Sequence, residues 1–206
     1  MSVLLGPDPA TEAPRQTSWA GLASAVRGCV ACPELALSRI QVVPGIAPAG
    51  GVADLLLVGE APGAAEDESG VPFVGKSGQL LDSLLAEVGL SRDRIAVANV
   101  LKCRPPRNRV PLRVEVERCR PWLVRQVELA DPAVIVALGR TATKWLAGPG
   151  LIRVLRERSL TYAGKPLAVT YHPSAAIRFG PQGIPLASLR EDLRKVADLV
   201  GGAGAR

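Results

Sequence analysis

Four cysteines and a single histidine are the residues of this 206-residue chain whose types and spacing point most directly to chemistry. Cys29 and Cys32 form a Cys-x2-Cys pair, while Cys103 and Cys119 have 15 residues between them. A Cys-x2-Cys brings two thiolates onto one tight turn. Two further cysteines complete a set of four soft ligands that suits zinc or an iron–sulfur cluster. Spacing does not separate the two metals. Four unrelated buried thiols, or a redox dithiol at Cys29 and Cys32, are the other readings. His172 stands before Pro173, immediately after an apolar run. Asn99 closes another apolar run and carries a donor and an acceptor on one planar amide. Phe73 offers a π-face from within a glycine-rich stretch.

These residues need elements to hold them. Asp54–Val58, Ile95–Val100, Ala133–Leu138 and Leu167–Tyr171 read as four buried strands. Helical spacing is expected over about 18–26, Gln79–Val88, Val114–Leu129, 140–146 and Leu186–Val200. Leu151–Tyr162 reads as a hairpin or extended segment. Residues 59–78 and 102–112 read as loops, and a long loop inside a domain is usually functional. Strands alternating with helices predict a three-layer αβα fold, with a central, mainly parallel four-stranded sheet covered on both faces. Ligands in such folds sit at the carboxyl ends of strands. Gly59–Gly63, Asn99 and His172 fall there. A proline-rich stretch, residues 1–17, reads as a disordered leader and 201–206 as a flexible tail, leaving one domain over 18–200. No internal repeat is visible.

Hydrophobic residues make up 48% of the chain and charged residues 21%, which excludes wholesale disorder. The net charge of +6 suits a polyanionic partner without demanding one. The N-terminus has no secretory-signal pattern, and no apolar run approaches the ~20 residues needed to cross a bilayer. A cytoplasmic protein with no membrane partner is expected. Disulfides are rare in that compartment, which favours metal-bound cysteines.

Four ordered segments carry a family resemblance: Gly59-Glu60-Ala61-Pro62-Gly63, the stretch from Pro72 to Gly78, the stretch from Asn99 to Pro106, and His172-Pro173-Ser174. Together with the cysteine spacing they resemble the family 4, iron–sulfur uracil-DNA glycosylases of the uracil-DNA glycosylase superfamily, from about Cys29 to the end of the chain. That resemblance implies a uracil-DNA glycosylase-like fold and a monofunctional base-excision repair enzyme, bacterial or archaeal and associated with the nucleoid. It implies hydrolysis of the N-glycosidic bond of uracil in DNA, leaving an abasic site. It assigns a structural [4Fe-4S] cluster, with zinc the alternative, to Cys29, Cys32, Cys103 and Cys119. It gives catalytic roles to Glu60, Asn99 and His172, and lines the uracil pocket with Gly59, Glu60, Ala61, Glu66, Phe73, Asn99 and His172. In that scheme uracil stacks on Phe73 and is read by Asn99. His172 donates to O2, and Glu66 stands near the C5 edge against a thymine methyl.

DNA contacts are expected from Lys76, Ser77, Lys102, Arg104, Arg107 and Arg109, and from Ser174, Ile177 and Arg178 in a minor-groove loop with Ile177 as its wedge. The partner is uracil-containing DNA, single- or double-stranded, and the protein is expected to be a monomer. The chain departs from the pattern in one respect: Ala61 stands where the best-known uracil glycosylases carry an aspartate. A catalytically weak, uracil-binding relative is therefore the alternative. A zinc-dependent nucleotide hydrolase is disfavoured, because no Walker A run or acidic cluster is present. A related branch bonds the abasic sugar through a histidine on an inserted loop; this chain has no second histidine and no such insert.

Overall fold

The computed structural model describes residues 6–203. In chain order its elements are α1 (Pro9–Glu12), α2 (Trp19–Arg27), α3 (Pro33–Ser38), β1 (Leu55–Gly59), α4 (Ala64–Ser69), α5 (Lys76–Glu87), β2 (Ile95–Asn99), α6 (Arg113–Ala130), β3 (Val134–Leu138), α7 (Gly139–Leu146), α8 (Ile152–Leu155), β4 (Leu160–Tyr162), β5 (Lys165–Thr170), α9 (Pro173–Phe179) and α10 (Ile184–Ala203).

The sheet runs β2-β1-β3-β5-β4, with every pairing parallel except the β4–β5 hairpin. Its central strands are unbroken apolar runs because both faces are covered. In β1, Leu55 and Leu57 pack with Leu81, Leu84 and Leu85 of α5 and Leu189 and Leu193 of α10. Leu56 and Val58 face the other way, against Leu123 and Val127 of α6 and Ala142 of α7. Three layers follow directly from that alternation. A smaller third core lies beside the sheet, where Ala13, Leu22, Val26, Leu35, Leu101 and Trp122 surround Cys103 and Cys119.

The structure corrects the sequence reading in several places. The sheet has five strands, not four. The fifth, β4, is a three-residue edge strand whose residues are partly exposed, so it carries no buried apolar run to announce it. The supposed leader is ordered over residues 6–17. Asp8 caps α1 by accepting the Ala10 N–H at 3.2 Å, with Pro9 at the first helical position, where proline's missing donor costs nothing. Ala13 is fully buried, and Arg125 of α6 donates to the Gln16 carbonyl at 2.8 Å. The prolines here start a helix and do not mark disorder. Residues 1–5 lie outside the described residues. α10 continues to Ala203, three residues into the expected tail; 204–206 lie outside the described residues. The long loop after β1 contains α4 and the first three residues of α5. The segment from Ser174 to Arg178, expected as a loop, is helical and belongs to α9.

Candidate active site and cysteine cavity

The carboxyl ends of the parallel strands converge on an open cleft of about 590 Å³. Glu60 and Ala61 enter it from the turn after β1, Asn99 from the last residue of β2, and His172 from just beyond β5. Glu66, Phe73, Lys76 and Ser77 line it from the long β1–α5 connection, and Arg109, Ser174 and Arg178 from its rim.

Packing beneath the cleft is tight. A Cβ on Gly59 would come within 2.4 Å of Asn99 Oδ1 and 2.7 Å of Phe73 Cζ. Glycine at this point lets the amide and the ring approach the end of β1. Asn99 is buried, as is the Phe73 ring. Phe73 has φ +56°, a conformation costly for an aromatic residue, so the surrounding packing must enforce it. Its ring lies 5.7 Å from that of His172 at a 34° tilt.

His172 caps α9. Its Nδ1 accepts the Ser174 N–H at 3.2 Å and lies 2.9 Å from Ser174 Oγ. Burial pushes the imidazole pKa down to about 4, a shift that the nearby Glu66 carboxylate only partly opposes. The ring is therefore neutral near pH 7. A backbone N–H can only donate, so Nδ1 must present its lone pair and the ring proton resides on Nε2.

Two contacts come from residues absent from the sequence reading. The Thr141 hydroxyl, in the first turn of α7, donates to Glu60 Oε2. Gly139, where β3 passes into α7, abuts His172. A weak signal for both was present, because β3 is followed by a glycine just as β1 ends on one.

Other expected site residues sit differently from the sequence reading. The Glu66 carboxylate accepts three backbone N–H groups, from Gly63 at 3.0 Å, Val74 at 3.0 Å and Gly75 at 2.9 Å. It staples the β1–α5 connection as well as lining the cleft. Lys102, expected on the DNA side, is buried. Its Nζ donates to the Asn99 carbonyl at 2.5 Å, and burial lowers its pKa to about 8. Arg109 is held by Glu115, at 2.6 and 2.9 Å, and reaches Glu34 at 3.4 Å. Arg104 bonds Asn108 at 2.8 Å, while Arg107 and Arg178 are exposed. Ile177 is exposed on α9, with exposed Phe179 two residues on.

All four cysteines line a second, small cavity together with Val26, Leu35, Arg39, Lys102, Arg118 and Trp122. Cys29 and Cys32 arrive from the turn between α2 and α3, Cys103 from beyond β2, and Cys119 from α6. None is in a disulfide. Burial raises the thiol pKa of Cys103 to about 11 and of Cys119 to about 12. That of Cys32 is raised by burial and by Cys29. Arg39 Nη1 donates to Cys103 Sγ at 3.1 Å, and its Nη2 to the Cys29 carbonyl at 2.7 Å. Among the described residues, no three Cys, His, Asp or Glu side chains are grouped so as to hold one metal ion.

A family model for the uracil DNA glycosylase superfamily matches residues 49–194. The chain is 40% identical over 162 residues to a type-4 uracil-DNA glycosylase of Pyrobaculum aerophilum, covering 74% of this chain and 81% of that protein. It is 40% identical over 189 residues to a type-4 uracil-DNA glycosylase of Archaeoglobus fulgidus, covering 85% and 90%. For a type-4 uracil-DNA glycosylase of Thermotoga maritima the identity is 41% over 158 residues, covering 74% and 80%. With its cleft at the strand ends and these matches over most of its length, the chain belongs to the uracil DNA glycosylase superfamily, among its type-4 members.

Proposed function

We propose that this protein hydrolyses the N-glycosidic bond of uracil in DNA and leaves an abasic site. The observation that carries the reading is the convergence of Glu60, Phe73, Asn99 and His172 in one cleft, with His172 Nδ1 accepting the Ser174 N–H. An enzyme that acts on a base must take it out of the stack. Phe73 provides a face for the flipped base, and the Asn99 amide a donor and an acceptor for its edge. Uracil and cytosine present opposite patterns at the 4-oxo (or amino) and N3 positions, so a fixed amide discriminates between them.

As the glycosidic bond lengthens, negative charge builds on uracil O2 and positive charge on the sugar. Nε2–H of His172 donates to O2, an interaction that strengthens only as the charge develops; comparable donors contribute ~3–4 kcal/mol. Glu60 is the carboxylate for the other side of the bond, where it stabilises the cationic sugar and orients the attacking water. It does so in the absence of the aspartate that Ala61 replaces. Glu66 holds the loop that shapes the pocket. Exposed Lys76, Arg107 and Arg178, with Arg104 and Ser77, meet the DNA backbone, and Ile177 fills the gap left by the flipped base. On this reading the protein works in the cytoplasm with the nucleoid, as a monomer.

We assign the four cysteines to a structural iron–sulfur cluster, with zinc the alternative. They line one cavity as a set of four soft thiol donors, and the choice of iron–sulfur follows the family resemblance carried by the motifs around them. When bound, the cluster would act as a structural cross-link among the α2–α3 turn, the post-β2 loop and α6. Broad visible absorption from anaerobically purified protein is expected, whereas a colourless, zinc-loaded protein would overturn the assignment.

The activity is tested by incubating the protein with single- and double-stranded oligonucleotides containing one uracil, then cleaving at abasic sites. Strand breaks that depend on His172 are expected. No breaks above a His172→Ala control would refute the proposal. Uracil-dependent binding without release would instead favour a catalytically weak relative.

A further inference from the structure

We propose that the turn from β3 into α7 is a positioning element of the active site, with Thr141 aiming the Glu60 carboxylate and Gly139 seating the His172 ring. This inference rests on the glycosylase reading of the cleft.

Strand order supplies the first part of the argument. β3 lies between β1 and β5, so the chain leaving β3 emerges between Glu60, just past β1, and His172, just past β5. Both side chains are contacted from this turn. The Thr141 hydroxyl donates to Glu60 Oε2, joining residues 81 apart in sequence. The Glu60 backbone is clamped separately, its carbonyl accepting the Leu101 N–H at 3.0 Å. Glu60 is a long side chain on a fixed backbone, and Thr141 supplies the one side-chain hydrogen bond to its carboxylate among the described residues. With Oε2 engaged, Oε1 is the oxygen left to face water or a cationic sugar.

Gly139 acts on the other group. Its φ is +85°, and a Cβ there would stand 2.8 Å from His172 Cβ, so any side chain would displace the imidazole or the turn. The Gly139 carbonyl accepts the Thr143 hydroxyl at 2.7 Å, which ties the turn to the body of α7. One short segment thereby sets the spacing between the carboxylate on the sugar side of the breaking bond and the imidazole on its base side.

Steady-state uracil release by cluster-loaded protein tests this in wild type, Thr141→Val, Thr141→Ser, Glu60→Ala and the Glu60→Ala/Thr141→Val double variant. Thr141→Val is expected to lower kcat by roughly tenfold or more, with KM within about twofold and melting temperature unchanged. Thr141→Ser should restore most of the rate. In the Glu60→Ala background the valine should add less than about twofold, because the group it positions is gone. Wild-type kcat in Thr141→Val, or an undiminished loss in the Glu60→Ala background, would overturn the Thr141 assignment. For Gly139, the chain's one histidine gives a single set of imidazole ¹⁵N resonances. Folded Gly139→Ala should shift them, and unchanged resonances would overturn that half. A wild type that releases no uracil would remove the underlying reading and this inference together, whereas an active wild type with indifferent variants removes the inference alone.

Discussion

His172 shows how surroundings set the protonation state of one side chain. Burial disfavours the charged ring, and the Ser174 N–H occupies Nδ1, so the imidazole is held neutral with its proton on Nε2. Its folded pKa of about 4 lies below the ordinary 6.5. The folded protein thus binds fewer protons at this residue than the unfolded chain does between those values. Stability therefore falls as pH drops through that window, the loss saturating below about 4. Catalysis should follow the folded value. Uracil release is expected to stay level through pH 6.5 and to decline only as pH approaches about 4, provided the fold holds. A pH–rate profile alongside imidazole NMR checks this; a rate already halved at pH 6.5 would contradict it. Lys102 illustrates the opposite lesson. By type it suits phosphate, but it is buried, and its ammonium donates to the Asn99 carbonyl at the carboxyl end of β2.

At the scale of elements, the connection between β2 and α6 links the cleft to the cysteine cavity. It begins at Asn99, passes Cys103, carries Arg104 and Arg107, and ends before Cys119 in α6. Arg109 and Glu115 tie its middle to the start of α6, and Arg39 ties Cys103 to the α2–α3 region. A cluster spanning these elements would restrict the loop's conformations as a multi-point cross-link does. Cys103→Ser is expected to lose the visible absorption and to lower the melting temperature by about 10 °C. Reduced DNA affinity should follow from the loosened basic loop. Cluster loss with unchanged melting and DNA affinity would contradict a structural role. The β1–α5 connection is fixed differently, by Glu66 accepting three backbone amides, and needs no metal.

For the whole molecule, five strands are covered by helices on both faces, with the cleft at one end of the sheet. Among the described residues no helix is long and apolar enough to cross a membrane. The charge excess of +6 is not spread evenly in effect, because many arginines are spent on internal ion pairs. Arg156 is held by Asp192 and Glu191, and Arg109 by Glu115. Arg107 and Arg178 form no ion pair among the described residues; Arg178 lines the cleft, and Arg107 adjoins Asn108, which also lines it. Removing either should weaken DNA binding about equally for uracil-containing and normal sequences, and should reduce the slope of log K against log salt by ~1. Arg156→Gln should leave that slope unchanged while lowering stability. A salt slope insensitive to Arg107 and Arg178 would move the DNA surface elsewhere.

The amino-acid sequence by itself determined the αβα class, the four parallel strands and the three strand ends that carry Glu60, Asn99 and His172. Those features are local: an apolar run such as Leu55–Val58 is legible because both of its faces are buried, and the motifs are contiguous in the chain. It also determined the family, through motifs in a fixed order. Tertiary structure decided what depends on residues far apart. It placed Thr141 against Glu60 and Gly139 against His172, because strand order sets β3 between β1 and β5 and no spacing rule encodes that order. It buried Lys102 and engaged Arg109, which are indistinguishable by type from exposed cations. It ordered residues 6–17, whose prolines look like disorder until Ala13 finds the core formed by α2 and α6. Within Leu151–Tyr162, read as a hairpin or extended segment, residues Ile152–Leu155 form α8 and only Leu160–Tyr162 form a strand, β4; its place in the sheet went unread because a half-exposed strand is specified by its hairpin partner more than by its own pattern.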